Sequence, residues 1–177
     1  IIILLRIISF EIIINQKINS IEDKMHIVDF GCGAGKSIIG MLDILSGVKK
    51  ITGIDISVEM INLAKEKISL LSPNYPEIDF QFRILESSQE GVNTIPLKNN
   101  EVDVVCTSIV LQELQTKKEL LNTIQEISRV LKSNGKFIAV CVSDKIRCED
   151  FTSFTYKGFR ENLNPDTNIR KCNLDES

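Results

Sequence analysis

The sequence predicts an α/β domain built on a doubly wound, mostly parallel sheet. Three observations lead there. Short apolar runs alternate with helix-type patterns along the chain, as in repeated strand–helix–strand units. The first such run ends in the glycines Gly31, Gly33 and Gly35, where a strand must turn sharply into a helix. The chain has 177 residues, 43% hydrophobic and 25% charged, which suffices for one well-buried domain and not comfortably for two.

The elements follow in order. His26 to Phe30 (HIVDF) reads as a buried strand ending at the glycines. Ile38, Met41, Leu42 and Leu45 then recur with the spacing of one helix face. Ile51 to Ile56 is the second strand, after the Lys49–Lys50 pair. Ser57 is a natural N-cap for a helix burying Met60, Ile61, Ala64 and Ile68, which Pro73 helps to stop. Ile78 to Leu85 alternates as a third strand, and Val102 to Cys106 is the fourth. Thr116-Lys117-Lys118-Glu119 fits a capping box. Its helix carries Leu120, Ile124, Ile127 and Leu131 on one stripe and stops near Asn134-Gly135, before a fifth strand from Lys136 to Val142.

Three regions result: an apolar extension over 1–24, a core over 25–143, and a polar segment over 144–177. The opening run IIILLRIISFEIII is only 14 residues long and carries Arg6 and Glu11, whereas a spanning helix needs about 20 apolar residues. An amphipathic element packed on the domain edge is the expected outcome, with no membrane span. Lys plus Arg number 21 against 24 Asp plus Glu, a formal charge of −3, which argues against a bulk electrostatic grip on nucleic acid. Five cysteines, at 32, 106, 141, 148 and 172, form no CxxC pair. They suggest reduced thiols in a cytoplasmic protein and no metal.

The chemical signal is VDFGCGAGKS, residues 28–37. A backbone without Cβ atoms lets a ligand lie directly on it, and a helix N-terminus beyond it favours negative groups. A phosphate-binding GxxxxGK[ST] loop is excluded, because the required first glycine falls on Phe30. A dinucleotide loop, GxGxxG, places its third glycine on Lys36; an NAD-binding oxidoreductase therefore stays open as an alternative. The better match is an acid before a GxGxG loop and a second acid ending the next strand, which is the layout of S-adenosylmethionine sites. Here these are Asp29, the three glycines, and Asp55, placed 24 residues after Gly31.

At this point the chain resembles the Rossmann-like class I methyltransferases, especially those of ubiquinone and menaquinone biosynthesis. The resemblance rests on IVDFGCGAG, GIDISVEMINLAKEK, IPLKNNEVDVVCTSIVLQEL and EISRVLKSNGKFIAV, and spans about Ile27 to Val142. It implies strand order 3-2-1-4-5 and S-adenosylmethionine as cofactor. It further implies Asp29 near the methionyl amine, Gly31, Cys32 and Gly33 against the methionyl portion, Asp55 on the ribose, and Ile56 with Met60 flanking adenine, and Gly35 is a further candidate cofactor residue. Ser108, following strand four, joins the candidate cofactor residues. The acid expected after strand three is ambiguous in ILESSQEGVNTIP, where Glu86, Ser87 and Ser88 all remain candidates. The family sheet carries two further strands, and the polar residues after Asp144 predict that pair to be missing or incomplete.

The implied reaction is methyl transfer to a small-molecule acceptor by in-line displacement, with a catalytically inactive cofactor-binding protein as a further alternative. Such a transfer depends mainly on holding acceptor and methyl aligned. No catalytic residue is assigned. His26 is the one side chain of neutral-pH base type, but its place at the start of strand one favours a structural role. Gln112 and Glu113 lie nearer the expected acceptor side, where solvated helix-start residues are equally expected. Cys32 reads as a small residue beside the ligand rather than a nucleophile.

Overall fold

The structure is a computed structural model that describes residues 24–42, 45–87 and 93–140, and four two-residue strand segments beyond them. Five strands form one sheet: β1 (Met25–Phe30), β2 (Val48–Asp55), β3 (Asp79–Ile84), β4 (Val102–Ser108) and β5 (Leu131–Val140). Their order is β3-β2-β1-β4-β5 and every neighbouring pair is parallel. The predicted doubly wound topology is therefore the observed one. Helices α1 (Lys36–Leu42), α2 (Val58–Leu71) and α3 (Lys117–Val130) make the connections.

All six residues of β1 are buried, as expected of a central strand covered on both faces. One apolar cluster unites Ile27, Ile38, Met41, Ile51, Ile61 and Ile68, and a second holds Val28, Ile54, Val105, Ile127 and Val130. Alternate residues of β1, Ile27 and Val28, serve opposite clusters because successive strand side chains point to opposite faces. These two layers fix the carboxyl ends of β1, β2 and β4 relative to one another.

Capping sets the helix starts as expected. The Ser57 hydroxyl accepts from the Met60 amide at 3.2 Å. Thr116 accepts from the Glu119 amide at 3.1 Å, and Glu119 in turn accepts from the Thr116 amide at 3.1 Å. Together these reciprocal bonds satisfy amides that the first helical turn leaves free.

The boundaries differ in instructive ways. β2 begins at Val48, so the Lys49–Lys50 pair lies within the strand, and Ile56 lies beyond its end. Met60 belongs to the exposed side of α2, whose buried residues are Ile61, Ala64 and Ile68. α3 stops at Val130 and buries Thr123, Ile127 and Val130. Leu131 is already extended, and Asn134-Gly135 sits inside β5 rather than ending the helix. The pairing explains this: Val102 faces Leu131 but Val104 faces Lys136, so residues 132–135 form a bulge at the strand entrance. A turn-type dipeptide serves a bulge as readily as a helix stop.

Residues 1–23 and 141–149 lie outside the described residues, and with them the expected edge element and the expected end of the fifth strand at Val142. Asp150–Phe151 pairs antiparallel with Phe154–Thr155, and Asn162–Leu163 with Arg170–Lys171. Neither ladder joins the five-stranded sheet.

Candidate functional site

The glycine loop sits at the centre of the carboxyl edge, between β1 and α1. Its shape comes from hydrogen bonds to β2. The amides of Gly31 and Cys32 both donate to the Ile54 carbonyl, at 2.7 and 3.0 Å, and Gly35 donates to the Cys32 carbonyl at 2.9 Å. The Gly33 amide donates to Asp55 Oδ2 at 2.8 Å, and the Ser57 amide donates to Asp55 Oδ1 at 2.9 Å. Asp55 thus clamps the loop and the start of α2 at once. A carboxylate offers about four acceptor positions, so two bonds leave capacity for ligand hydroxyls.

Two glycines carry the geometry for different reasons. Gly31 has φ +75°, and a Cβ there would collide with Val110 Cγ2, just past β4. Gly33 has φ +51°, and a Cβ there would meet nothing within 4 Å. The first is filled by protein; the second faces open space of the kind a ligand would occupy. Gly35 is buried and would bring a Cβ to 3.4 Å from Ala64 of α2, so it serves helix packing.

Asp29 is 1% exposed, and its Oδ2 has no hydrogen-bond partner among the described residues. Burial, assisted by the charge of Asp55, raises its pKa to about 7. A buried carboxyl without a partner is costly, and a cation lying in the loop would stabilise its charged form. The two carboxylates and the open space over Gly33 therefore fit a ligand with a positive end and a diol.

The other predicted residues fall around this pair. Cys32 is buried; its Sγ would lie 2.9 Å from a Cβ on Gly53, and it donates to the Gly33 carbonyl at 3.5 Å. Burial pushes its thiol above the usual range, so it is no nucleophile. Ile56 and Met60 lie on the β2 side, 71% and 38% exposed, which is unusual for such side chains beside a loop otherwise well packed. Ser108 ends β4, partly buried, opposite Val140. Glu86 is exposed, and it pairs with Thr94 as Ser87 pairs with Asn93 in a short antiparallel ladder. The Ser87 side chain and all of Ser88 lie outside the described residues, so the choice among the three stays open.

His26 lies at the opposite end of β1. Its Nε2 is 2.8 Å from Thr52 Oγ1, and burial lowers its pKa. It is structural. Gln112 and Glu113 belong to a short 3₁₀ turn, Leu111–Glu113, after β4. The sequence reading missed three residues that shape the site: Val110 against Gly31, Gly53 beneath Cys32, and Ile109. Ile109 has φ +62°, a left-handed conformation costing a non-glycine residue roughly 1–2 kcal/mol. No periodicity announces such contacts.

A cleft of about 820 Å³ lies elsewhere, on the α3 side of β3, lined in part by Arg83, Pro96 and Arg129. Its two arginines are engaged already. Arg83 donates to the Pro96 carbonyl at 2.7 Å, and Arg129 donates to Glu126 and to the Ile95 and Leu97 carbonyls at 2.7–2.8 Å. It is a braced surface rather than a rival site. Among the described residues no cluster could hold a metal ion, and no helix is long and apolar enough to cross a membrane.

Comparison with known proteins agrees with this geometry. A methyltransferase-domain family model matches residues 21–167. The chain belongs to that family. YqeM of Bacillus subtilis, itself only provisionally assigned as a methyltransferase, is 29% identical over 116 residues, covering 66% of this chain and 42% of the relative. The ubiquinone/menaquinone biosynthesis C-methyltransferase UbiE of Campylobacter jejuni is 25% identical over 124 residues, 68% of this chain and 46% of the relative. The matched part of the chain therefore spans less than half the length of either relative. Among solved structures, a SAM-dependent methyltransferase from Aquifex aeolicus superposes with a TM-score of 0.51 at 26% identity, covering 70% of this chain and 62% of that one. The fold is that of the S-adenosylmethionine-dependent methyltransferases.

Proposed function

We infer that this methyltransferase domain binds S-adenosylmethionine on the glycine loop and transfers its methyl group to a small-molecule acceptor. The observation that carries the reading is the pairing of an orphaned, buried Asp29 with the Asp55 clamp around open space at Gly33. Asp29 would face the cationic methionyl end, Asp55 the ribose hydroxyls, and Ile56 with Met60 the adenine ring. Bound there, the cofactor would supply a sulfonium-activated methyl group, with the electron pair of the broken carbon–sulfur bond returning to sulfur. The chain's own work is orientation and exclusion of water at the carboxyl edge. A cytoplasmic setting suits the free thiols Cys32 and Cys106.

Support for a small-molecule acceptor comes from the UbiE relative and from the weakly acidic charge, which offers no bulk attraction to nucleic acid. Calorimetric titration with S-adenosylhomocysteine against NADH tests the cofactor, and a labelled methyl donor offered with an acceptor panel tests transfer. Preference for NADH would hand the site to an oxidoreductase. Tight S-adenosylhomocysteine binding without turnover of any acceptor would make the domain a cofactor-binding protein without catalysis.

A further inference from the structure

Independently of the cofactor reading, we propose that Asn134-Gly135 is a site of spontaneous covalent modification in the folded protein, where the asparagine amide closes to a cyclic imide that water opens to aspartyl and isoaspartyl forms. It is the one asparagine followed by glycine in the sequence. Three structural observations favour reaction there. Asn134 is exposed, so water reaches it. It stands outside the ladder of β5, because the register passes from Leu131 to Lys136 while β4 advances only from Val102 to Val104. The glycine is also enforced by packing. A Cβ on Gly135 would lie 2.8 Å from Leu131 Cδ2, 3.0 Å from the Lys132 carbonyl oxygen and 3.2 Å from that of Asp103. Two of these three obstacles are backbone, so the reactive dipeptide is what the bulge demands.

The chemistry needs no co-reactant but water. The backbone nitrogen of Gly135 gives up its proton and attacks the side-chain carbonyl carbon of Asn134. The bond from that carbon to the amide nitrogen breaks, and ammonia leaves. Water then opens the imide. Opening at the side-chain carbonyl gives aspartate, and opening at the main-chain carbonyl gives isoaspartate, with the main chain routed through the former side chain. A following residue without a Cβ leaves the attacking nitrogen uncrowded. A residue outside the ladder is also free of the pairing that holds a strand straight. Other asparagines lack this combination: Asn62 and Asn122 lie within α2 and α3, and Asn99 Oδ1 accepts from Arg129 at 2.9 Å. The product adds a negative charge to the chain's −3. That charge arises close in sequence to Lys132, which pairs with Asp103 at 2.8 Å. The isoaspartyl form also lengthens the main chain by a methylene just ahead of Lys136, where the ladder resumes.

The experiment ages the full chain at mildly alkaline pH in water enriched in heavy oxygen, folded and, in parallel, unfolded in urea. Peptide mapping by mass spectrometry should find Asn134 converted faster than any other asparagine of the described residues, with heavy oxygen incorporated. The rate in the folded chain should lie within about threefold of that in the unfolded one, because an exposed bulge needs no opening to react. Isoaspartyl peptide should outnumber aspartyl peptide, and an acidic species should grow in step on isoelectric focusing. Asn134→Gln, whose side chain must close a larger ring, should keep the wild-type circular dichroism spectrum and lose this acidic species. Stronger protection by folding overturns the inference, as does faster conversion at another described asparagine. Aspartate as the sole product overturns the imide route, and so does an Asn134→Gln protein that ages as the wild type does.

Discussion

The carboxylate of Asp55 accepts the amide of Gly33 at 2.8 Å, so the residue proposed to hold the ribose also holds the loop beneath it. The second oxygen accepts from Ser57 at 2.9 Å. Structural and binding roles therefore coexist at this position, and a single substitution mixes them.

Asp55→Ala should weaken S-adenosylhomocysteine binding by roughly 10- to 150-fold or more, if one or two hydrogen bonds to a charged group are lost at about 1.5–3 kcal/mol each. It should also cost about 1 kcal/mol of stability through the loosened loop and helix start. Asp55→Asn keeps an acceptor oxygen for one backbone amide, and should recover part of the stability while binding remains impaired. Thermal melts beside calorimetry separate the effects. Recovery of full affinity in the Asn variant would show that the carboxylate's charge does not meet the ligand.

Asp29 should make binding and stability respond to pH in opposite directions. Its folded pKa is raised to about 7 from 3.8, so the folded state holds a proton that the unfolded chain releases. The stability this proton supplies is fully present below about pH 4 and is lost as pH rises to about 7, a change on the order of a few kcal/mol. A cationic ligand favours the ionised form, so S-adenosylhomocysteine affinity should fall as pH drops below about 7. Asp29→Asn should melt higher than wild type at pH 8, bind more weakly there, and lose the pH dependence of affinity. An Asn variant with wild-type affinity across that range would remove Asp29 from the site.

Much of this was legible in the sequence, and the reason differs by feature. The alternation of strands and helices follows from patterns local in the chain, whereas the strand order and the joint use of Asp29 and Asp55 are implied by the family resemblance, since they join segments far apart in sequence. Met60 was misplaced because helical spacing alone sets it beside Ile61 and Ala64; only the packing of α2 on the sheet decides which residues at the stripe's edge stay exposed. The end of α3 was misjudged at Asn134-Gly135 because such a dipeptide fits a bulge as well as a helix stop. Val110 and Ile109 stand far from the glycine loop in sequence, and their roles arise only when β1 and β4 pair.

His26 is expected to matter for stability and not for transfer. Its Nε2 lies 2.8 Å from Thr52 Oγ1, at the end of β1 away from the loop. Burial lowers its pKa from 6.5, so the unfolded chain takes up a proton more readily than the folded one. That contribution to stability is present at pH above the unfolded value and is lost as pH falls through 6.5 toward the lowered folded value. His26→Ala should lower the melting temperature at neutral pH by leaving the Thr52 hydroxyl buried without its partner, about 1–3 kcal/mol. S-adenosylhomocysteine affinity should not change. A loss of methyl transfer with unchanged stability would instead make His26 a base.

Gly31 and Gly33 provide the sharpest contrast, because the same substitution should fail for two different reasons. Both have positive φ, +75° and +51°, so valine is strained at either site. At Gly31 the added side chain also collides with Val110, which is anchored beside β4. Gly31→Val should therefore unfold the domain or lower its melting temperature severely. At Gly33 nothing lies within 4 Å of an added Cβ, so Gly33→Val should cost about 1–3 kcal/mol of stability and keep its circular dichroism spectrum. Its side chain would nonetheless fill the space assigned to the cofactor, and S-adenosylhomocysteine binding should disappear. Gly33→Ala, with one methyl group and less strain, should show a weaker version of the same loss. A folded Gly33→Val protein that still binds S-adenosylhomocysteine would place the ligand away from this loop, whatever the behaviour of Gly31→Val.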